Sequence, residues 1–140
     1  MRSLSAIGLG LLIMGLGLFA AAAITPGAFP GAFDTLGHTT NAVALFVMLS
    51  ITLVTTAFAG WITARFSEDH LMGHALMMAT LGLATTVFAG AIRWAAAPAW
   101  YWGTSWTLIP LAAAIGAGAW QRTLRRKSPA SVQRVATTVI

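Results

Sequence analysis

Cysteine is absent from this 140-residue chain, which excludes disulfides, thiolate metal sites, iron–sulfur ligation and a cysteine nucleophile together. Acidic residues are almost absent as well. Asp34, Glu68 and Asp69 are the only three, and none lies within a long apolar run, so a proton- or cation-coupled transporter would lack its usual intramembrane carboxylate. The chain has no acid pair, no nucleophile with a nearby base and no phosphate-cradling glycine loop. No catalytic residue is assigned, and the chain is not expected to be an enzyme on its own.

What it has instead is hydrocarbon. Hydrophobic residues make up 58% of the chain and charged residues 8%, far from the balance of a soluble domain, and the mean hydropathy is +0.81. The formal charge of +5 comes from basic residues that gather after the last apolar run. They are not interleaved with aromatics, so no nucleic-acid partner is expected.

At about 1.5 Å per residue, roughly 20 apolar residues cross a hydrocarbon core. The sequence predicts an all-α integral membrane protein with transmembrane helices at about 4–24, 39–62, 71–96 and 105–120. A transmembrane domain would cover 1–120 and a basic tail 121–140, with Arg122, Arg125, Arg126, Lys127 and Arg134 in the tail. The first run resembles a secretory leader in its basic start and its alanines at 20–23, but is read as a retained span. Between the first two spans, Pro-Gly-Ala-Phe occurs twice, from Pro26 and from Pro30. It is expected to break the helix and to place Phe29 and Phe33 at the interface. Pro98, Trp94, Trp100, Tyr101, Trp102 and Trp106 are expected to form an interfacial aromatic belt.

With four spans both termini share a side. Placing that side in the cytoplasm puts seven of the eight basic residues inside and leaves only Arg93 outside, the distribution the positive-inside rule favours. The expected location is a bacterial-type inner (plasma) membrane. Ser67 is a candidate N-cap for the third span, where Glu68 and Asp69 would suit the helix dipole. Arg93 is expected to reach Asp34 or a partner's carboxylate.

Small residues mark the expected helix contacts. Gly8 with Gly15, and Gly10 with Gly17, give the first helix two grooved faces. Leu53–Ile62 and Leu83–Ile92 agree at seven of ten positions, an echo of an inverted repeat. The stripes Thr52/Thr56/Gly60 and Gly82/Thr86/Gly90 are expected to pack these two helices on each other.

His70 and His74, four residues apart and followed by Met77 and Met78, are a candidate metal or haem site. His38 belongs to the opposite end of the bundle and cannot complete it within one chain. No cofactor is required by the sequence, and bound lipid is expected. These features together suggest a structural or accessory subunit whose partners are membrane lipids and other membrane protein subunits, within a larger assembly of the energy-transducing or electron-transport kind. The alternatives are a small channel or transporter, with a polar path along Asn41, the threonines of the second span and Thr85/Thr86, or a haem- or metal-carrying subunit using His70 and His74.

Overall fold

The computed structural model describes residues 2–67 and 69–127, with side chains over 4–67 and 69–126. Glu68, Arg134 and the rest of 128–140, and the side chains of Arg2 and Lys127, lie outside the described residues. Four helices follow one another: α1 Arg2–Ala28, α2 Ala42–Phe66, α3 Leu71–Ile92 and α4 Ala99–Lys127, with a 3₁₀ turn at Trp94–Ala96 between the last two. Three of them, α1 from Leu4, α2 and α3, are long and apolar enough to cross a membrane. The more polar α4 does not meet that measure: it carries Thr104, Ser105 and Thr107 in its first half and the basic run from Arg122 at its end.

Several boundaries differ from expectation, each for a local reason. α1 runs through Pro26 to Ala28; the proline contributes no N–H of its own, and the bonds around it hold the turn. The Thr25 hydroxyl donates to the Ala21 carbonyl at 2.6 Å and the Phe29 N–H to Thr25 at 3.0 Å, closing the last turn. α2 starts at Ala42 because Asn41 caps it, its side-chain oxygen accepting from the Ala44 N–H at 3.1 Å. α3 stops at Ile92, four residues early. Pro98 disfavours helical backbone in the residue before it, and Ala97 is extended at φ −150°, ψ 158°. α4 begins at Ala99, directly after that proline and six residues earlier than expected, so Trp100, Tyr101 and Trp102 lie with Trp106 within its first two turns. At the far end α4 continues through 121–127.

Ser67 does not cap α3. Its hydroxyl and its N–H both donate to the Thr63 carbonyl, at 2.7 and 3.1 Å, which ends α2. The residue before α3 is His70, in left-handed backbone at φ 50° with no side-chain cap, and no acidic residue lies in the first turn of α3.

The helices run up, down, up and down. The N-terminal end of α1 lies beside the C-terminal end of α2, where Thr63 reaches the Ala6 carbonyl at 3.4 Å. At the other end the Thr39 N–H donates to the Ala96 carbonyl at 3.0 Å. We call these the tail end and the loop end. α2 is the central helix and packs chiefly on α4 and α1, while α1 and α4 hardly touch. Contact between α2 and α4 continues along their length, from Leu45 and Leu49 against Tyr101 to Ala64 against Ala117 and Trp61 against Trp120.

Midway along this pair the two backbones meet. A Cβ on Gly116 would strike the Ala57 carbonyl, and one on Gly60 the backbone of Ala113. Gly10 and Gly17 of α1 give way to Thr63 and Thr55 of α2. Glycine supplies this closeness where lipid offers no hydrophobic drive for association.

The repeated stripes do not face one another as expected. Gly60 serves α4, Gly82 receives Met14 of α1, and a Cβ on Gly90 would come within 3.0 Å of both Trp102 and Trp106 of α4. Gly60 and Gly90, equivalent in the repeat, thus both face α4, at different levels, and not each other, while Gly82 faces α1. Gly8 and Gly15 have nothing within 4 Å of a Cβ and face away from the bundle.

These packing differences separate two substitutions of the same type. Gly116→Ala should destabilise the bundle by about 1–3 kcal/mol through overpacking. Gly15→Ala should be neutral or stabilising by up to about 1 kcal/mol, as for a helical glycine with open space. Thermal unfolding in detergent micelles, followed by circular dichroism, checks the pair; equal destabilisation by both would contradict the packing.

Candidate functional site

The polar chemistry of the described residues divides between the two ends. At the loop end the connection between α1 and α2 folds on itself through Asp34. One carboxylate oxygen accepts from the backbone N–H groups of Leu36 at 2.9 Å and His38 at 2.7 Å, and the other faces His38 Nδ1 at 3.1 Å. Gly37, at φ +79°, permits the reversal. The His38 backbone N–H is the largest of the influences holding the Asp34 carboxyl below its ordinary 3.8, with the Leu36 N–H and His38 adding to it and partial desolvation opposing. Thr39 fastens this turn to the rest of the fold. Its hydroxyl donates to Ala32 at 2.6 Å and accepts from the Asn41 N–H at 3.1 Å.

Arg93 does not pair with Asp34. The carboxylate is already occupied, and the guanidinium instead donates from Nη2 to the Leu36 carbonyl at 3.4 Å, at the long limit for such a bond. Both residues therefore bind the same turn without touching each other. Under the turn lies a cleft of about 190 Å³, walled by Ala22, Pro26, Leu45, Met48 and Trp102, with Arg93 at its edge.

Aromatic rings line this end. Phe46, Trp100, Tyr101, Trp102, Trp106 and Trp94 form a chain with successive ring centroids 5.5–6.4 Å apart. Trp102 Nε1 donates to the Trp94 carbonyl at 3.3 Å. Tyr101 is the buried member and packs on Leu45 and Leu49, so the belt is partly core.

At the tail end the candidate metal residues do not converge. His70 is exposed and His74 half-buried; Met78 is fully buried in the core with Ile7, Met14 and Ala59, while Met77 is 53% exposed and points elsewhere. Among the described residues no cluster of three histidine, cysteine or acidic side chains could hold a metal ion. His74 Nδ1 lies 2.8 Å from the Asp69 carbonyl oxygen. A carbonyl only accepts, so Nδ1 carries the proton and Nε2 is the ring atom left for another contact.

Most threonines on the expected polar path bond within their own helices. Thr52, Thr55 and Thr63 of α2 and Thr85 and Thr86 of α3 donate to carbonyls of their own helices at 2.7–2.9 Å. Among the described residues, Thr56 Oγ1 and Trp106 Nε1 are the buried side-chain polar atoms without a partner.

Two pairings were not anticipated from the sequence. His38 and Asp34 are four residues apart, a spacing that could have suggested them. Arg65 lies between two tryptophans, 5.2 Å from the Trp61 ring and 5.6 Å from the Trp120 ring, a cation–π arrangement that ties α2 to α4 at the tail end. The Trp61/Arg65 spacing was a readable signal; the partner on α4 was not. Arg122, Arg125 and Arg126 are exposed on the last turns of α4.

No family model matches the chain, and no curated protein or solved structure is significantly similar to it.

The loop-end turn carries a pH signature. Because its pKa is lowered on folding, Asp34 contributes stabilisation that is complete above 3.8 and is lost as pH falls through the lowered value. The carboxyl carbon of Asp34, followed by NMR in micelles, should titrate with a midpoint below 3.8. A midpoint at or above that value would contradict the backbone bonding of this turn.

Proposed function

We infer that the protein is an accessory subunit that packs against other membrane proteins within a larger assembly, of the energy-transducing or electron-transport kind. One observation carries this reading. The chain spends Gly10 and Gly17 on its own α2 but leaves Gly8 and Gly15 open, on a face of α1 that also bears Leu12, Leu16 and Phe19, all exposed. In a membrane, a grooved face with nothing in the groove suits another helix better than lipid alone, because close backbone approach is what drives helix association there. The bonding of Thr52, Thr55, Thr63, Thr85 and Thr86 within their own helices and the absence of an intramembrane carboxylate among the described residues favour a packing role over solute movement.

In this reading α4 is a fourth span. Its long side-by-side contact with α2 supports that placement, and its tryptophans then lie at one interface and its arginines at the other. The basic charge on the tail-end turns of α4 favours the cytoplasm for that end and for both termini, in a bacterial-type inner (plasma) membrane. Arg93 and the Asp34 turn then face outward.

Solubilisation in mild detergent followed by affinity purification of the tagged full chain tests the proposal. The protein should leave the membrane in a stoichiometric complex with other membrane proteins. Gly8→Leu/Gly15→Leu should release it from that complex without lowering its own thermal unfolding temperature, since neither site has an internal neighbour. Recovery of the unaltered chain as an isolated monomer would overturn the reading.

A further inference from the structure

Arg93 and the cleft beside it have a use that packing does not explain. Among the described residues, Asp34 is the only carboxylate at the loop end, and its oxygens are taken by two backbone N–H groups and His38. Among the described residues the exposed guanidinium of Arg93 has one acceptor, the Leu36 carbonyl at 3.4 Å, so most of its N–H donors have no partner there. Gly37 stands where a side chain would otherwise approach it, a Cβ there lying 3.4 Å from Nη2. The charge sits at the edge of an apolar cleft of about 190 Å³ whose α1 wall, Ala22 and Pro26, is exposed at the surface of the bundle.

We propose that this cleft binds an anionic phospholipid, with its phosphate on Arg93 and the first methylenes of its chains against Ala22, Pro26, Leu45 and Met48. Guanidinium matches phosphate with paired donors and is more weakly hydrated than an ammonium group, so it suits a phosphate at an apolar boundary. The cleft is too small for a whole lipid and leaves the remaining chain length in the bilayer. Charge complementarity selects the anionic class: a zwitterionic headgroup would bring an ammonium group to an end of the bundle whose described carboxylate is already engaged. The same guanidinium could meet free phosphate, but the apolar wall contributes only when the phosphate carries a lipid chain.

Native mass spectrometry of the full chain in mixed micelles of phosphatidylglycerol and phosphatidylcholine tests this. Phosphatidylglycerol should be retained in preference, and Arg93→Gln should weaken that retention about tenfold, the worth of a charge-assisted contact. Ala22→Phe fills the apolar wall and leaves the Arg93–Leu36 bond in place; it should also lose the lipid, which separates lipid binding from any effect of Arg93 on folding. Arg125→Gln, at the opposite end, should change nothing. Equal retention of the two lipids, retention by both cleft variants, or displacement of phosphatidylglycerol by inorganic phosphate as readily as by more lipid would overturn the proposal.

Discussion

The backbone contact between α2 and α4, at Gly60 with Ala113 and Gly116 with Ala57, is the constraint on which the rest of the arrangement depends. A protein in water can hold two helices together by withdrawing apolar side chains from solvent. A chain this hydrophobic, with lipid around it, gains little that way and relies on close packing of atoms that lipid cannot match. Two glycines on facing helices remove the side chains that would keep the axes apart. The larger groups are thereby displaced to the ends, where Tyr101 settles on Leu45 and Leu49 at one and Arg65 between Trp61 and Trp120 at the other.

That contact also sets the geometry of the loop end. With α2 touching both α1 and α4, and α1 hardly touching α4, a cleft remains at the loop end between the last turns of α1 and the first turns of α2 and α4, and the connection from α1 to α2 folds over it. Asp34 organises this connection through the backbone and so is unavailable to Arg93, which remains a cation at the edge of an apolar cleft. The proposed lipid site thus follows from one carboxylate having been committed to its own turn. The proposed partner surface follows from similar economy on α1, whose Gly10 and Gly17 are used within the chain and whose Gly8 and Gly15 are not.

The helical class and three apolar spans were legible because a run of about 20 uncharged apolar residues has few other uses. Helix ends were less so. Pro26 looked like a stop but lies in a last turn, whereas Pro98 acts through the residue before it and shortens α3 while starting α4. Trp100, Tyr101 and Trp102 read as an interfacial belt ahead of a helix starting near 105, because an aromatic belt and the first turns of a helix share the same composition. Pairings between helices were the least legible feature. The near-repeat of Leu53–Ile62 and Leu83–Ile92 suggested mutual packing, yet a glycine records only that something comes close: Gly60 and Gly90 both meet α4, and Gly82 meets Met14 of α1. The metal reading of His70, His74, Met77 and Met78 rested on sequence proximity, which a helix does not convert into convergence when adjacent methionines point to opposite surroundings.

The proposal that α4 lies beside α2 through the membrane requires the two ends of α4 to face opposite compartments. Because the chain has no cysteine, single cysteines can be introduced at Ala95, exposed just before α4, and at Thr123, exposed near its other end. Labelling with a membrane-impermeant maleimide in sealed vesicles of known orientation should reach the two positions from opposite sides. Labelling of both from the same side would contradict the account.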